Sequence, residues 1–338
     1  MKTINLLKND IALTTRDVLM LPYKGKIKSR SDFDFENRKI LFNAPMDTVT
    51  SFEFLKNKLI KGNLSEKQYY VTCRAHFDKW VRFLSEENYQ REFSENCFFA
   101  IGLDDIATIS LKVIPEFKAR NYKINILVDI AHGWSEQAEE VYKKLRSMPE
   151  VMHIMSGSVA TGEAAIAVSE WCDFIRVGIG CGSICSTRLV TGVGVPNLSA
   201  VAEAAAWAKQ SKIVADGGIS EFGDIAKYLG AGATHIMLGK MYAECSDISV
   251  SEHRGQASKE FQIETKGKVS NLVPEGVRMN ISKREETTDQ LNDMIYAAIS
   301  SAASYVGITK ISEFNPTNVE FIQVTGFGRA ESETKGGK

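Results

Sequence analysis

The sequence predicts a single (β/α)8 TIM barrel, an α/β fold, on three observations. Short apolar, β-branched runs alternate with longer stretches of helical spacing; eight such runs occur with no sign that strand order reverses; and glycines gather just after the last three. The runs fall at 39–44, 69–73, 97–101, 124–129, 152–156, 174–177, 212–215 and 235–238, with amphipathic stretches at 136–147, 163–171, 199–210 and 222–230. A helix between successive strands implies a parallel sheet, because parallel neighbours need a crossover. The alternative, an open doubly wound sheet, would carry a reversal of strand order. A chain of 338 residues fits one barrel domain, 1–338. A polar stretch at 246–283 reads as a short mobile flap. Helical spacing returns near 289–306, and a C-terminal extension ends in a Gly- and charge-rich tail, 326–338, expected to be flexible.

Composition narrows the function. With 44% hydrophobic and 25% charged residues, the chain reads as globular. Lysine and arginine number 41 against 42 acidic residues, so no broad basic field exists to hold a nucleic-acid backbone, and any phosphate site must be local. No apolar run approaches the ~20 residues that span a bilayer. The six cysteines form no CxxC pair and no signal-like apolar core opens the chain, so a cytoplasmic protein with free thiols is expected, with neither a nucleic-acid nor a membrane partner.

In a barrel, the residues after each strand build the active face. Here they are Met46-Asp47-Thr48 after the first run, Asp129-Ile130-Ala131-His132-Gly133 after the fourth, 178–188 after the sixth, Asp216-Gly217-Gly218 after the seventh and Gly239-Lys240 after the eighth. Ser183, with Gly217, Gly218, Gly239 and Lys240, can cradle a phosphate. Asp216 at a strand end can accept two hydrogen bonds from ribose hydroxyls. Cys185, two residues past Ser183, then lies within reach of the attached base, where a thiol can hold a carbon centre covalently and release it. Most cysteines are only small buried hydrophobes, as Cys97 and Cys172 read here; the glycine-rich strand end is what singles out Cys185. Cys181 in the same loop fits either role. The carbonyls of Gly180, Gly182 and Cys185 suit a hard monovalent cation such as K+, although a plain tight turn explains the glycines equally well. The five histidines are scattered, with no zinc-like spacing, and His235, inside a strand, reads as structural.

The run GIGCGSICSTRLVTGVGVPNLSA (178–200) resembles the catalytic loop of the IMP dehydrogenase/GMP reductase family. So do RDVLMLP (16–22), PMDTV (45–49), DIAHGWSE (129–136), SGSVATGE (156–163), ADGGI (215–219), GDIAKYLGAGA (223–233), MLGKM (237–241) and SYVG (304–307). The resemblance implies a homotetrameric barrel in which Cys185 attacks C2 of a purine nucleoside 5′-monophosphate. Within the family the chain is most similar to the reductase branch, since 72–78 leaves no room for the dehydrogenase's regulatory insertion and no Arg-Tyr pair stands in the flap. That branch implies NADPH-dependent reductive deamination of GMP to IMP and ammonia, with Thr187 and Glu275 handling the leaving group's proton and Gly276 beside the substrate. It further implies cofactor contacts from Ser29, Arg30, Arg74, Asp129, Ile130, Ala131, Ser301 and Ser304, those of 28–31 reaching a neighbouring subunit; NADH or NAD could serve in place of NADPH.

The chain departs from the reductase pattern at several places. Phe261-Gln262-Ile263-Glu264 or its vicinity stands for the base-recognition segment, Lys240 for a small residue, Ser158 for Asn, and Leu272-Val273-Pro274 precedes Glu275. Features such as Asn271–Gly276 and Val324-Thr325-Gly326 resemble bacterial IMP dehydrogenases instead. Two other readings therefore stand: an NAD-dependent IMP dehydrogenase that activates water with Arg188 or Thr187, and a nucleotide-binding barrel with an altered purine substrate or no turnover.

Overall fold

The computed structural model describes residues 4–8, 11–266 and 273–332, with residues 265 and 266 described in backbone only. Its centre is a closed parallel barrel of eight strands: β1 (Leu41–Asn43), β2 (Gln68–Val71), β3 (Cys97–Ile101), β4 (Ile124–Val128), β5 (Val151–Met155), β6 (Phe174–Val177), β7 (Lys212–Asp216) and β8 (His235–Leu238). Each strand pairs with the next, and β8 closes onto β1 through Leu41 opposite Ile236 and Phe42 opposite Met237. The expected strands are all present, three of them with the expected boundaries and the others with ends moved by one or two residues. Asp216 proves to be the last residue of β7 rather than the first of a loop.

Alternation along each strand separates two cores. Phe42, Phe98, Leu127, Met155, Phe174, Val214 and Met237 point into the barrel, while Cys97, Phe99, Ile101, Ile126, Val128, Ile175 and Ile236 face the surrounding helices. Inside, Phe42, Phe98 and Phe174 meet edge to face at 5.2–5.8 Å. His235 packs within 5.5 Å of Phe42 and 5.2 Å of Phe174, and burial pushes its imidazole down to about 3, so it is a neutral packing residue.

The helices start where side-chain caps occur. Ser135 accepts from the Ala138 N–H and Thr161 from the Ala164 N–H, each at 3.2 Å, at the heads of Glu136–Arg146 and Gly162–Ser169. The last long helix, Thr288–Val306, begins at Thr287, which pairs with Gln290 in a capping box and ends at Gly307.

Two small antiparallel pairs lie outside the barrel. Val18–Met20 pairs with Phe321–Gln323, anchoring both terminal segments, and Glu252–Arg254 pairs with Arg278–Asn280 in the region expected as a flap. That region is therefore built rather than featureless: a two-stranded ribbon with a helix, Lys259–Lys266, between its strands. The tail expected to be flexible starts as a helix, Gly326–Glu331; residues 333–338 lie outside the described residues.

Candidate active site

The loops after β6 and β7 pack into one unit, and close backbone contact explains their glycines. Gly178 has φ 151°, and a Cβ there would lie 2.0 Å from the Asp216 carbonyl; Gly217 has φ 83°, and its Cβ would lie 2.7 Å from Cys181 Sγ. Asn197 Nδ2 donates to the Asp216 and Gly217 carbonyls at 3.1 and 3.2 Å, and the Tyr228 hydroxyl donates to the Gly217 carbonyl at 3.1 Å. Cys181 settles into a structural part, its thiol donating to the Asp216 carbonyl at 2.9 Å, with burial holding it protonated. Asn197 and Tyr228 were not singled out in the sequence, where each looks like an ordinary helix residue.

Of the three residues expected to be catalytic, Cys185 and Thr187 meet through their side chains, and Glu275 is brought beside them by its backbone. Cys185 Sγ lies 3.2 Å from Thr187 Oγ1 and 3.9 Å from the Glu275 carbonyl oxygen. Glu275 reaches this place because the end of the flap pairs with the β6 loop. The Val277 N–H donates to the Ile184 carbonyl at 2.9 Å, the Ser186 N–H to the Glu275 carbonyl at 3.3 Å, and Cys185 bridges Gly276. Ninety positions apart in sequence, the two segments act as neighbouring strands.

Phe261–Glu264 belong to the flap helix, and the turn before it, Gly255-Gln256-Ala257-Ser258, packs against Ile184 and Gly276 beside the Cys185 loop. A Cβ on Gly255 would lie 3.3 Å from Gly276 Cα and 3.5 Å from the Ile184 carbonyl, and one on Gly276 would lie 3.2 Å from the Ser258 nitrogen. Backbone approaches this close need glycine on both sides, a pairing visible only once the two segments are brought together.

A cavity of about 370 Å³ opens beside this loop. Ser183, Asp216, Gly217, Gly218, Gly239 and Lys240 all line it, as predicted, with Met46 and His253. Gly276 instead sits on the bridge to Cys185. Burial raises the Asp216 carboxyl to about 6 against the partial opposition of Arg176, whose Nε lies 3.8 Å away. His253 Nδ1 pairs with Thr48 Oγ1 at 2.9 Å, and burial lowers it to about 4, so this lining histidine is neutral. Lys240 lies 3.6 Å from Glu244. Arg188 does not stand ready to activate water: its guanidinium donates to the Ile179 carbonyl at 3.0 Å and to that of Val195, bracing the loop. Of the carbonyls considered for a cation, that of Gly182 accepts the Cys185 N–H at 3.1 Å.

A second cleft, about 690 Å³, lies over the ends of β2 to β6 and gathers Arg74, Asp129, Ile130 and Ala131. Arg74 Nη1 donates to the Asp129 carbonyl at 2.7 Å. The decisive residue here is Arg176, which sequence reading passed over as a strand residue. Its Nη1 donates to Asp129 Oδ1 at 2.9 Å and its Nη2 to the Ile130 carbonyl at 3.2 Å, deep in the barrel mouth. Asp129 Oδ2 and Arg176 Nε are buried without a hydrogen-bond partner. A polar residue at an inward-pointing position of β6 was the available signal.

Ser29, Arg30, Ser301 and Ser304 are not brought to this cleft within the chain. They group at the other end of the barrel, where Tyr296 of the last long helix donates to the carbonyls of Arg38 and Lys67, just before β1 and β2. Farther along that helix, a Cβ on Gly25 would lie 3.1 Å from the Ser304 carbonyl. Ser29 caps the short turn Arg30–Asp32.

Fold and site together define a (β/α)8 enzyme with a loop-borne thiol beside a nucleotide-sized cavity. The model of the IMP dehydrogenase / GMP reductase domain matches residues 7–335, and the chain belongs to that family. It is 32% identical to the GMP reductase of Buchnera aphidicola subsp. Schizaphis graminum, over 94% of this chain and 96% of that protein. It is 33% identical to GMP reductase 2 of Bos taurus, over 94% and 95%, and 29% identical to the GMP reductase of Onchocerca volvulus, over 94% and 93%.

Proposed function

We propose that this chain is a GMP reductase, converting GMP and NADPH to IMP, NADP+ and ammonia through a covalent bond between Cys185 and C2 of the purine. The observation that carries the reading is the bridge between Cys185 and Gly276, which sets Glu275 next to the Cys185–Thr187 pair. The 5′-phosphate lies against Ser183, Gly217-Gly218 and Gly239-Lys240, and Asp216 accepts from the ribose hydroxyls. Cys185 Sγ adds to C2 as its own proton passes to Thr187 Oγ1 and on to Glu275. The 2-amino group takes a proton from this pair and leaves as ammonia, since a protonated amine departs far more readily. Loss of ammonia restores the ring C2=N double bond and leaves the purine joined to Cys185 through the C2–S bond. When bound, the nicotinamide supplies hydride to C2, after which the C2–S bond breaks and IMP and the thiolate are released.

The buried Asp129–Arg176 ion pair lies beneath the second cleft, whose polar lining from Arg74 to Ala131 is the place we assign to the nicotinamide. The reading takes NADPH rather than NADH from the family resemblance, and Ser29, Arg30 and Arg74 carry donors that suit a 2′-phosphate. Ser29 and Arg30 lie at the far end of their own barrel, so the reading includes a homotetramer in which a neighbour supplies them. It also includes a cytoplasmic location and a K+-type ion bracing the β6 loop. The carbonyls of Gly180, Gly182 and Cys185 are donors of the right hardness, and Gly182 keeps a second lone pair for it.

The test follows NADPH absorbance with GMP, beside NAD with IMP, for wild type and Cys185→Ala. Oxidation of NADPH that requires GMP and Cys185, with IMP as product, is expected. Turnover of IMP with NAD, or silence in both assays, would overturn the reading.

A further inference from the structure

We infer that Arg254 is a positioning residue that latches the flap to the first barrel loop and thereby seats the Gly255–Ser258 turn against the Cys185 loop. The inference rests on reading that turn as the wall facing the purine base. Arg254 ends the flap strand Glu252–Arg254, with its side chain only 17% exposed. Its guanidinium joins two elements. Nε and Nη2 donate to Asp47 Oδ2 at 3.1 and 2.5 Å, Nη1 lies 2.6 Å from Glu264 Oε2 on the flap helix, and the group sits 5.6 Å from the Phe261 ring centre.

The register of these contacts gives the latch its purpose. Consecutive flap residues His253 and Arg254 are tied to consecutive loop residues Thr48 and Asp47, directly after Met46 in the cavity wall. Gln256 adds a bond to the Pro45 carbonyl. The chain between and beyond these ties is the turn that meets Gly276 and Ile184, so its position is set by the barrel and not by the flap alone.

The two anchors differ in weight. Asp47 is 11% exposed, its Oδ1 is buried without a hydrogen-bond partner, and Arg254 pairs with its Oδ2. Glu264 is 59% exposed, where water screens the pair. Only the arginine fork holds both carboxylates at once; a lysine carries the charge without the geometry.

Removing Arg254 alone would strand the Asp47 charge and confuse stability with positioning. The experiment therefore uses Arg254→Lys and the double variant Arg254→Met/Asp47→Asn. It measures KM and kcat for GMP, melting temperature, and hydrogen exchange of residues 255–264 in the full-length protein. Both variants are expected to melt close to wild type, to raise KM for GMP roughly tenfold with a smaller loss in kcat, and to exchange faster at 255–264. Unchanged KM and exchange in the double variant would overturn the latch. Should wild type fail to turn over GMP, the functional reading falls by itself. Exchange then decides: acceleration in Arg254→Lys upholds the latch and unchanged exchange overturns it.

Discussion

The two halves of the active face are built differently. The nucleotide side is complete within one chain, because the β6 loop, the β7 turn and the start of the residues after β8 share one cavity with every predicted lining group but Gly276. On the cofactor side, Arg74, Asp129, Ile130 and Ala131 share a cleft, while Ser29, Arg30, Ser301 and Ser304 lie at the opposite end of the barrel. The first half is made from consecutive residues at strand ends, whose placement a barrel dictates. The second half, as proposed, draws on groups that this chain keeps apart and that only a neighbouring copy would bring together. One side should therefore respond to substitution as a monomeric site would, and the other as a shared one.

The largest effect expected falls on the nucleotide side. Asp216→Ala removes the acceptor proposed for two ribose hydroxyls, and hydrogen bonds to a charged group contribute roughly 1.5–3 kcal/mol each, so KM for GMP should rise by roughly 100-fold or more with NADPH affinity little changed. The pH dependence sharpens this. The Asp216 carboxyl is raised from the ordinary 3.8 to about 6. Between those values the native protein keeps a proton that the unfolded chain has lost, so its stability without nucleotide falls as pH rises through this window. Binding runs the other way, since the ionised form accepts both hydroxyls. KM should fall as pH climbs through about 6, and the fall should vanish in Asp216→Asn. A pH-independent KM in wild type would remove Asp216 from ribose binding.

An intermediate effect tests the shared half. Arg30→Ala should raise KM for NADPH about tenfold and leave KM for GMP in place, as loss of a charged contact to a phosphate does. Cys185→Ala subunits lack the nucleophile but keep Arg30, so reassembling them with Arg30→Ala subunits should restore low-KM turnover at the mixed sites. Kinetics that merely average the two parents would place Arg30 outside any cofactor site.

What was legible in the sequence follows the same division. The eight strands, Cys185 and the Asp216–Gly218 turn could be read because the barrel converts position after a strand into position on the face, whereas the role of Thr187 came from family resemblance. Glu275 was reached through family resemblance, and the reason for its place, pairing of 275–277 with 184–186, is a long-range register that one chain's periodicity does not encode. The same gap hid the packing of Gly255–Ser258 against the 184–186 and 275–277 segments. Gly255 and Gly276 explain each other only after they are packed together. Arg176 was missed because a charge inside a strand pattern reads as a break in alternation, although an arginine aimed into a barrel mouth needs carboxylates, here Asp129 and Asp216.

The smallest effect returns to the nucleotide side and asks whether Lys240 belongs to it. Lys240 lines the cavity, but its side chain is 36% exposed and already lies 3.6 Å from Glu244. A cation so placed attracts a phosphate dianion through water as well as directly, and the competing carboxylate removes part of that attraction. Lys240→Gly should thus raise KM for GMP only about two- to fivefold, leave kcat alone, and lose its effect as salt is raised toward ~1 M, where screening shortens to ~3 Å. Loss of binding for guanosine as well as for GMP would point to a packing role instead, because the uncharged nucleoside offers Lys240 nothing to attract. A salt-independent defect would place the ammonium in direct contact with the phosphate, and would make the nucleotide half a site held by side-chain charge as much as by the backbone of its glycine turns.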